Sequence, residues 1–343
     1  MLAVGVDTHK ESLAACAVDE VGRPVAEGSF SNDVKGHRAL RGWLNRFPQP
    51  RRVGLEGAAN FGALLARALL DAGEDVREVP SILTRRERRR TGRPGKSDPT
   101  DALAIARVVA RDEHLPPALP GGANQDLKLL VDYRDQLISE RTRVQNRLHA
   151  DLMILVPGYR ARVRRLTTKG QREQAARLLR AVPGVRAHLA LRRLGRLEEI
   201  GAEVAVLTER IESAIQQRDT HLTSIVGVGA ITAAKLLGET GDARRFRSMA
   251  GFAMACGAAP IPASSGQTNR HRLNRGGNRQ LNRALHTIAL VQARVDLRAQ
   301  AYLDRKRAEG KTWLDSVRCL KRHLADVVYR QMIEDMCESA LTT

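Results

Sequence analysis

The chain has 343 residues, enough for two or three domains that each bury a core. Its 57 Lys and Arg stand against 38 Asp and Glu, a formal charge of +19, which argues for a polyanionic partner, nucleic acid first among them. A membrane protein is excluded: the longest uncharged run, Ser248 to Asn269, is broken by Pro260, Pro262 and several glycines. The cysteines Cys16, Cys256, Cys319 and Cys337 are scattered without zinc spacing, so they read as reduced and structural in a cytoplasmic, nucleoid-associated protein.

Leu2 to Val6 is a short apolar run that reads as a buried strand, with Asp7 at its C-terminal end. Ser12 to Val18 and Pro24 to Phe30, joined by a turn at Glu20-Val21-Gly22, extend it into an antiparallel meander. The stripe Leu40, Trp43, Leu44, Phe47 predicts a helix from Asn32 or Asp33 to about Phe47. Arg52 to Glu56 is a fourth strand, again ending in a carboxylate. A helix is expected over Phe61 to Ala72, stopped by Gly73, and a strand over Asp75 to Val79.

At Asp98-Pro99-Thr100-Asp101 a new helix begins. Asp98 suits an N-cap, Pro99 the first helical position and Asp101 a capping box. Side chains three apart also share a helix face, so both carboxylates can serve one cation. The order β-β-β-α-β-α-β-α favours the second reading. Adjacent parallel strands end on one edge, so Asp7 and Glu56 fall side by side, with the Asp98/Asp101 helix packed against them. Four carboxylates this close raise one another's pKa unless cations neutralise them. Two Mg²⁺ ions would do so, and would bracket the attacking and leaving oxygens of a phosphodiester.

Just upstream, Arg85, Arg86, Arg88, Arg89, Arg90, Arg93 and Lys96 form a basic cluster. It is either a solvated face or a grip on phosphates, and Arg86, Arg89, Arg93 and Lys96 are the expected nucleic-acid contacts. Beyond Pro116-Pro117 and Gly121-Gly122, Leu127, Leu130, Leu137, Val144, Leu148 and Leu155 recur at helical spacing. Leu194, Leu197, Ile200, Val204, Leu207, Ile211 and Ile215 do so more regularly. These stripes suit either an antiparallel helical hairpin or a dimerising coiled coil. Gly227 and Gly229 form a Gly-x-Gly turn that either packs two helices or presents N–H groups to a phosphate. From Ala243 to Val295 there is no acid but nine arginines, which reads as a polyanion-facing surface holding Ser264-Ser265-Gly266 and the basic run from Arg270 to Arg279.

The series Gly5-Val6-Asp7-Thr8-His9-Lys10, Gly54-Leu55-Glu56-Gly57 and Lys96-Ser97-Asp98-Pro99-Thr100-Asp101 resembles the DEDD transposases of the IS-one-ten family of bacterial insertion sequences, whose N-terminal domain is similar to the Holliday-junction resolvase RuvC. The family's acidic tetrad maps onto Asp7, Glu56, Asp98 and Asp101. The resemblance implies an α/β ribonuclease-H-like domain over residues 1–118, a helical or coiled-coil segment over 119–218, and a mainly α C-terminal transposase domain over 219–343. It further implies Mg²⁺-dependent cutting and rejoining of donor and target DNA and a structured guide RNA from the element, while the helical stripes point to a homo-oligomer, dimer or tetramer. Phe246 to Leu285 resembles the family's second domain, whose catalytic serine maps to Ser265, with Ser264 one residue away. Arg270, Arg272 and Arg275 are the candidates for stabilising charge on phosphorus, and Arg279 joins them as a nucleic-acid contact. The competing readings are a RuvC-like structure-selective endonuclease without serine chemistry, a non-catalytic nucleic-acid-binding protein, and an actin-like-fold sugar kinase, for which no second phosphate loop is found.

Overall fold

The computed structural model describes residues 2–58, 60–90, 98–118, 123–263, 271–274 and 276–341. Two compact units divide the chain: one comprises residues 1–125 with 242–248, the other 126–241 with 249–343.

The first unit is a mixed α/β layer structure. Strands β1 (Leu2–Thr8), β2 (Ser12–Val18) and β3 (Pro24–Ser31) form the antiparallel meander. Helix α1 (Val34–Leu44), β4 (Arg51–Glu56), α2 (Ala63–Leu70) and β5 (Asp75–Glu78) complete a five-stranded sheet in the order β3-β2-β1-β4-β5, with β4 parallel to both β1 and β5. Asp33, one of the two expected starting positions, caps α1, its carboxylate accepting from the Gly36 N–H at 2.7 Å. The second helix opens later than the apolar pattern suggests. Phe61 is exposed, and the preceding residues are held in a turn by bonds from the Asn60 and Gly62 N–H groups to the Gly57 carbonyl.

One face of the sheet buries Val4, Val6, Leu13 and Leu55 against Leu40 and Leu44 of α1 and Leu65 and Leu69 of α2. The other buries Ala3, Cys16 and Val18 against Ala102, Ile105, Ala106 and Val109 of the helix that follows α3 (Ser81–Arg90), namely α4 (Asp98–Arg111). Two glycines let α4 sit unusually close. Gly5 of β1 and Gly54 of β4 are directly opposite in register. A Cβ on Gly5 would stand 2.2 Å from the Ala106 nitrogen and 2.3 Å from the Ala102 oxygen, and one on Gly54 would stand 2.2 Å from Val109 Cγ2. A strand glycine here marks a place where another backbone must approach.

The second unit is mostly helical: α5 (Ala123–Leu155), α6 (Lys169–Arg180), α7 (Val185–Gln216), α8 (Ala230–Thr240), α9 (Met249–Ala255), α10 (Arg279–Val295), α11 (Leu297–Ala308) and α12 (Trp313–Leu341). A two-stranded ribbon, β6 (Ile261–Pro262) with β7 (His271–Arg272), interrupts them. Helices α5 and α7 run antiparallel within the chain. Their links fall in opposed order, Tyr133 to Glu203 at 2.5 Å, Arg196 to Glu140 at 2.9 Å, and Arg193 to Asp151. Between them Leu137 packs with Ile200, Val204 and Leu207, so each apolar stripe finds a partner inside the same chain. No helix among the described residues is long and apolar enough to cross a membrane.

The start of the second unit's C-terminal core is pinned by one buried acid. Asp335 of α12 accepts from the Thr220 hydroxyl at 2.9 Å and the His221 N–H at 3.1 Å, and lies 3.1 Å from His221 Nδ1. The hydrogen bond to Asp335, and the charges of Asp335, Glu338 and Asp219, raise the pKa of the exposed His221 above its ordinary 6.5. Because the folded value is the higher one, this tie is fully present below the unfolded value and is lost as pH rises through the folded one. Thermal unfolding followed from about pH 6 to about pH 8.5 will show the wild type losing stabilisation on the alkaline side, and His221→Gln will show a flatter profile over the same range.

Candidate active site

The C-terminal ends of β1 and β4 place Asp7 and Glu56 side by side, paired in register across the parallel ladder. The strands are locked at that edge by Thr8, whose hydroxyl donates to the Glu56 carbonyl at 2.7 Å. Helix α4 brings the third acid: Asp101 is 5 % exposed and Asp7 is 7 % exposed, both unusually low for carboxylates. Asp98, one turn earlier on α4, is exposed and reaches the same spot through a histidine. His9 Nε2 lies 3.1 Å from Asp7 Oδ2 and 3.1 Å from Asp98 Oδ1.

Burial holds the Asp7 carboxyl above the ordinary aspartate value, with His9 opposing and Asp101, Glu56 and Asp98 each pushing further upward. Burial is the largest cause, and the neighbouring carboxylates add to it. Arg88 of α3 forms an ion pair with Asp101, and the His9 ring lies beside Asp7. The donor chemistry suits a hard divalent cation: ligand atoms of Asp7, His9 and Asp98 lie within 4.8 Å of one another, and Asp101 and Glu56 supply further carboxylate oxygens to the same cavity. That cavity has a volume of about 860 Å³, and Arg85 and Arg88 form its basic wall.

Two contributors were not singled out from the sequence. His9 follows Asp7 by two positions, so the two-residue alternation of a strand puts both on one face; that signal was available. Asn32 carried none. Its Nδ2 donates to the His9 carbonyl at 2.7 Å and to the Phe61 carbonyl at 3.0 Å, and its Oδ1 lies 2.8 Å from His37 Nε2, so one side chain ties the loop after β1 to the loop after β4. Asn32→Ala removes both ties, and we expect about a tenfold loss of divalent-cation affinity with the fold retained, measured by calorimetric titration with Mg²⁺ or Mn²⁺.

The basic residues divide. Arg86 and Arg89 are exposed on α3, whereas Arg88 faces inward to Asp101. Gly227 has φ of +88° and packs on α10, where a Cβ would stand 3.1 Å from the Ile288 carbonyl, so a tight helix-packing turn accounts for it. Gly229 is exposed at the N-terminus of α8. Within the acid-free window the arginines are not uniformly free. Arg244 pairs with Asp242 at 2.8 Å, Arg245 with Glu78 at 3.7 Å, and Arg247 with Asp112, because acids outside the window fold back onto it. Arg272 and Arg279 are exposed and line a common cavity in the second unit. Arg93, Lys96, Ser264, Ser265, Arg270 and Arg275 lie outside the described residues.

The comparisons with known proteins give two family matches, the first of which runs on beyond the first unit through α5. Residues 4–157 match the DEDD transposase domain of the IS110 family, and residues 219–304 match the domain described as the transposase IS116/IS110/IS902 family. The chain is 26 % identical over 383 residues to the insertion element IS110 uncharacterized 43.6 kDa protein of Streptomyces coelicolor, covering 96 % of this chain and 93 % of that one. It is 29 % identical to the insertion element IS900 uncharacterized 42 kDa protein of Mycobacterium paratuberculosis, covering 83 % of each. Against the transposase for insertion sequence element IS1328 of Yersinia enterocolitica it is 26 % identical, with 95 % and 91 % covered. Two transposase domains in the same order, with similarity running along nearly the whole chain, make this protein a member of the IS110 family of insertion-sequence transposases.

Proposed function

We propose that the protein cuts and rejoins DNA at two cooperating centres, the carboxylate cavity of the first unit and a serine of the second. The observation that carries this reading is the in-register pair Asp7 and Glu56 with Asp101 buried beside them, an arrangement with no packing purpose for three carboxylates. The strand order β3-β2-β1-β4-β5 is that of a ribonuclease-H-like, RuvC-type sheet and supports the same assignment. The family implies a divalent metal, typically Mg²⁺, and Asp7, Glu56, Asp98 and Asp101 would hold it. When bound, the ion supplies Lewis acidity at a phosphodiester. Asp7 and Asp101 fix the position, His9 links Asp7 to Asp98, and Arg85 and Arg88 meet the incoming phosphate at the cavity wall.

In this reading Ser265 Oγ attacks phosphorus: the Oγ–P bond forms, the P–O bond to the sugar breaks, the serine proton passes to solvent and the leaving sugar oxygen takes a proton from solvent. Arg272, Arg270 and Arg275 stabilise the developing charge, Arg86, Arg89, Arg93, Lys96, Gly229 and Arg279 hold strand phosphates, and a guide RNA and a homo-oligomer assemble the two DNAs. The test mixes Asp7→Ala protein with Ser265→Ala protein, each inactive alone, on DNA carrying the element's junction with Mg²⁺. Recovered cleavage, with DNA covalently attached to the protomers that keep Ser265, supports the scheme. Adducts that persist in Ser265→Ala and vanish in Ser264→Ala would move the nucleophile by one residue, and cleavage without any adduct would favour a RuvC-like endonuclease.

A further inference from the structure

The second unit contains a cavity of about 740 Å³ between the β6–β7 ribbon, the N-terminus of α10, α11 and the first turns of α12. Seven of its lining side chains are Lys or Arg and one is Asp. Three of the seven are already matched to acids: Lys306 to Glu309 at 2.8 Å, Arg318 to Asp315 at 2.5 Å, and Arg322 to Asp326. The other four, Arg272, Arg279, Lys311 and Lys321, make no ion pair with an acid among the described residues. Lys321 is the telling one. It is 9 % exposed, and among the described residues its ammonium has a single hydrogen-bond partner, Asn282 Oδ1 at 2.6 Å, which is itself fixed by donating from Nδ2 to the Cys256 carbonyl at 2.9 Å. An ammonium buried beside one neutral amide keeps donors that a bound anion would satisfy.

The cavity is also too large and too apolar for a lone anion. A single phosphate would leave most of its volume empty, whereas pockets of this size hold small organic ligands. Leu273, Ala259, Pro260 and the ring of Tyr302 give it an apolar side. Tyr302 stands edge-on to His323 with ring centroids 5.1 Å apart, and Arg305 and Lys306 lie 5.2 Å and 5.7 Å from its ring centre, so the ring is set in a cationic frame.

We infer that this cavity is a binding site for one unstacked nucleotide of a nucleic-acid strand, its phosphate on Lys321, Arg279 and Arg272 and its base on the Tyr302 and Leu273 side. The inference rests on the reading of the protein as a nucleic-acid enzyme but goes beyond it: Lys311, Lys321, Tyr302 and the α11–α12 wall belong to neither the acidic cavity nor the serine stretch. Burial and the nearby Arg318 lower the Lys321 pKa, so a bound phosphate would draw it back up. Base stacking on an aromatic ring is tolerant of sequence, so the pocket selects an extruded nucleotide, not a particular base.

The test is fluorescence anisotropy on the full-length protein with labelled thymidine and uridine oligonucleotides about eight nucleotides long, and with a blunt duplex of the same length. Lys321→Met keeps the buried volume and removes the charge. Arg279→Gln and Lys311→Gln, on exposed positions, guard against misfolding. Each should weaken binding of the deoxy or the ribo oligomer by about tenfold and lower its salt slope by about 0.7, and should weaken the duplex by less than about threefold. The more strongly affected oligomer identifies DNA or RNA as the source of the nucleotide. Wild-type affinity for both oligomers in all three variants overturns the inference, as does an equal loss on duplex and single strand, which is the behaviour of a diffuse basic surface. Glu56→Ala must bind the oligomers like wild type, so failure of the acidic cavity as a cleavage site and failure of this pocket are read separately.

Discussion

Asp7→Ala and Glu56→Ala proteins will bind DNA within about threefold of wild type and lose at least about 10³-fold in strand cleavage. Nucleic-acid affinity comes from Lys and Arg contacts to phosphates, none of which these changes touch. Loss of a carboxylate from a site that depends on a divalent ion removes several kcal/mol of transition-state stabilisation, and each 1.36 kcal/mol is about tenfold in rate. The measurement is single-turnover cleavage at saturating Mg²⁺ alongside a binding isotherm for the same DNA. Asp98→Asn is expected to fall between these and wild type. Asp98 is exposed and meets the cluster through His9, whereas Asp7 is buried within it. A Glu56→Ala protein with undiminished cleavage would remove Glu56 from the centre.

The other large effect belongs to a residue with no side chain. Gly5→Ala forces a methyl group to within 2.2 Å of backbone atoms of α4, and backbone cannot rotate aside as a side chain can. Either α4 withdraws from the sheet or β1 shifts, and both move Asp101 away from Asp7. We expect a loss of about 3 kcal/mol or more and a fall of about 10 °C in Tm, with cleavage reduced even at temperatures where the protein stays folded. Gly42→Ala is the control. Gly42 lies in α1 with open space around its Cβ position, so the alanine should stabilise the helix by about 0.5–1 kcal/mol. Differential scanning calorimetry of the two variants, with Mg²⁺ titration of Gly5→Ala, separates a packing defect from a site defect.

Much of the first unit can be read from residue order alone, and the reasons are local. Leu2 to Val6 and Arg52 to Glu56 are short apolar runs ending in acids, and a strand's direction then decides which edge those acids share. The helix after β3 is legible from its apolar stripe, and an Asp ahead of it then satisfies its first N–H groups. What stayed hidden depends on distant sequence. Nothing near Arg88 indicates that it will pair with Asp101 on the next helix, and nothing near Arg245 or Arg247 points to Glu78 or Asp112. The acid-free window therefore overstates how much positive charge is available to a ligand. The pocket around Lys321 was illegible for the same reason: its walls come from four elements, and only the fold reveals that one lysine among many is buried with no ion pair among the described residues.

The first unit is assembled from two separated stretches, and its final piece, Asp242–Ser248, is made 116 residues after Gln125. At a synthesis rate of about 5–20 residues per second, that interval is about 6–23 seconds. Through that time the sheet and α4 exist while Glu78 and Asp112 still wait for Arg245 and Arg247. A nascent chain thus presents Glu78 and Asp112 unpaired with Arg245 and Arg247 until those arginines have been translated. Completion of the first unit is tied to the ribosome having already delivered the long α5–α7 pair, so a transcript truncated between the two stretches yields one lacking its last two clasps.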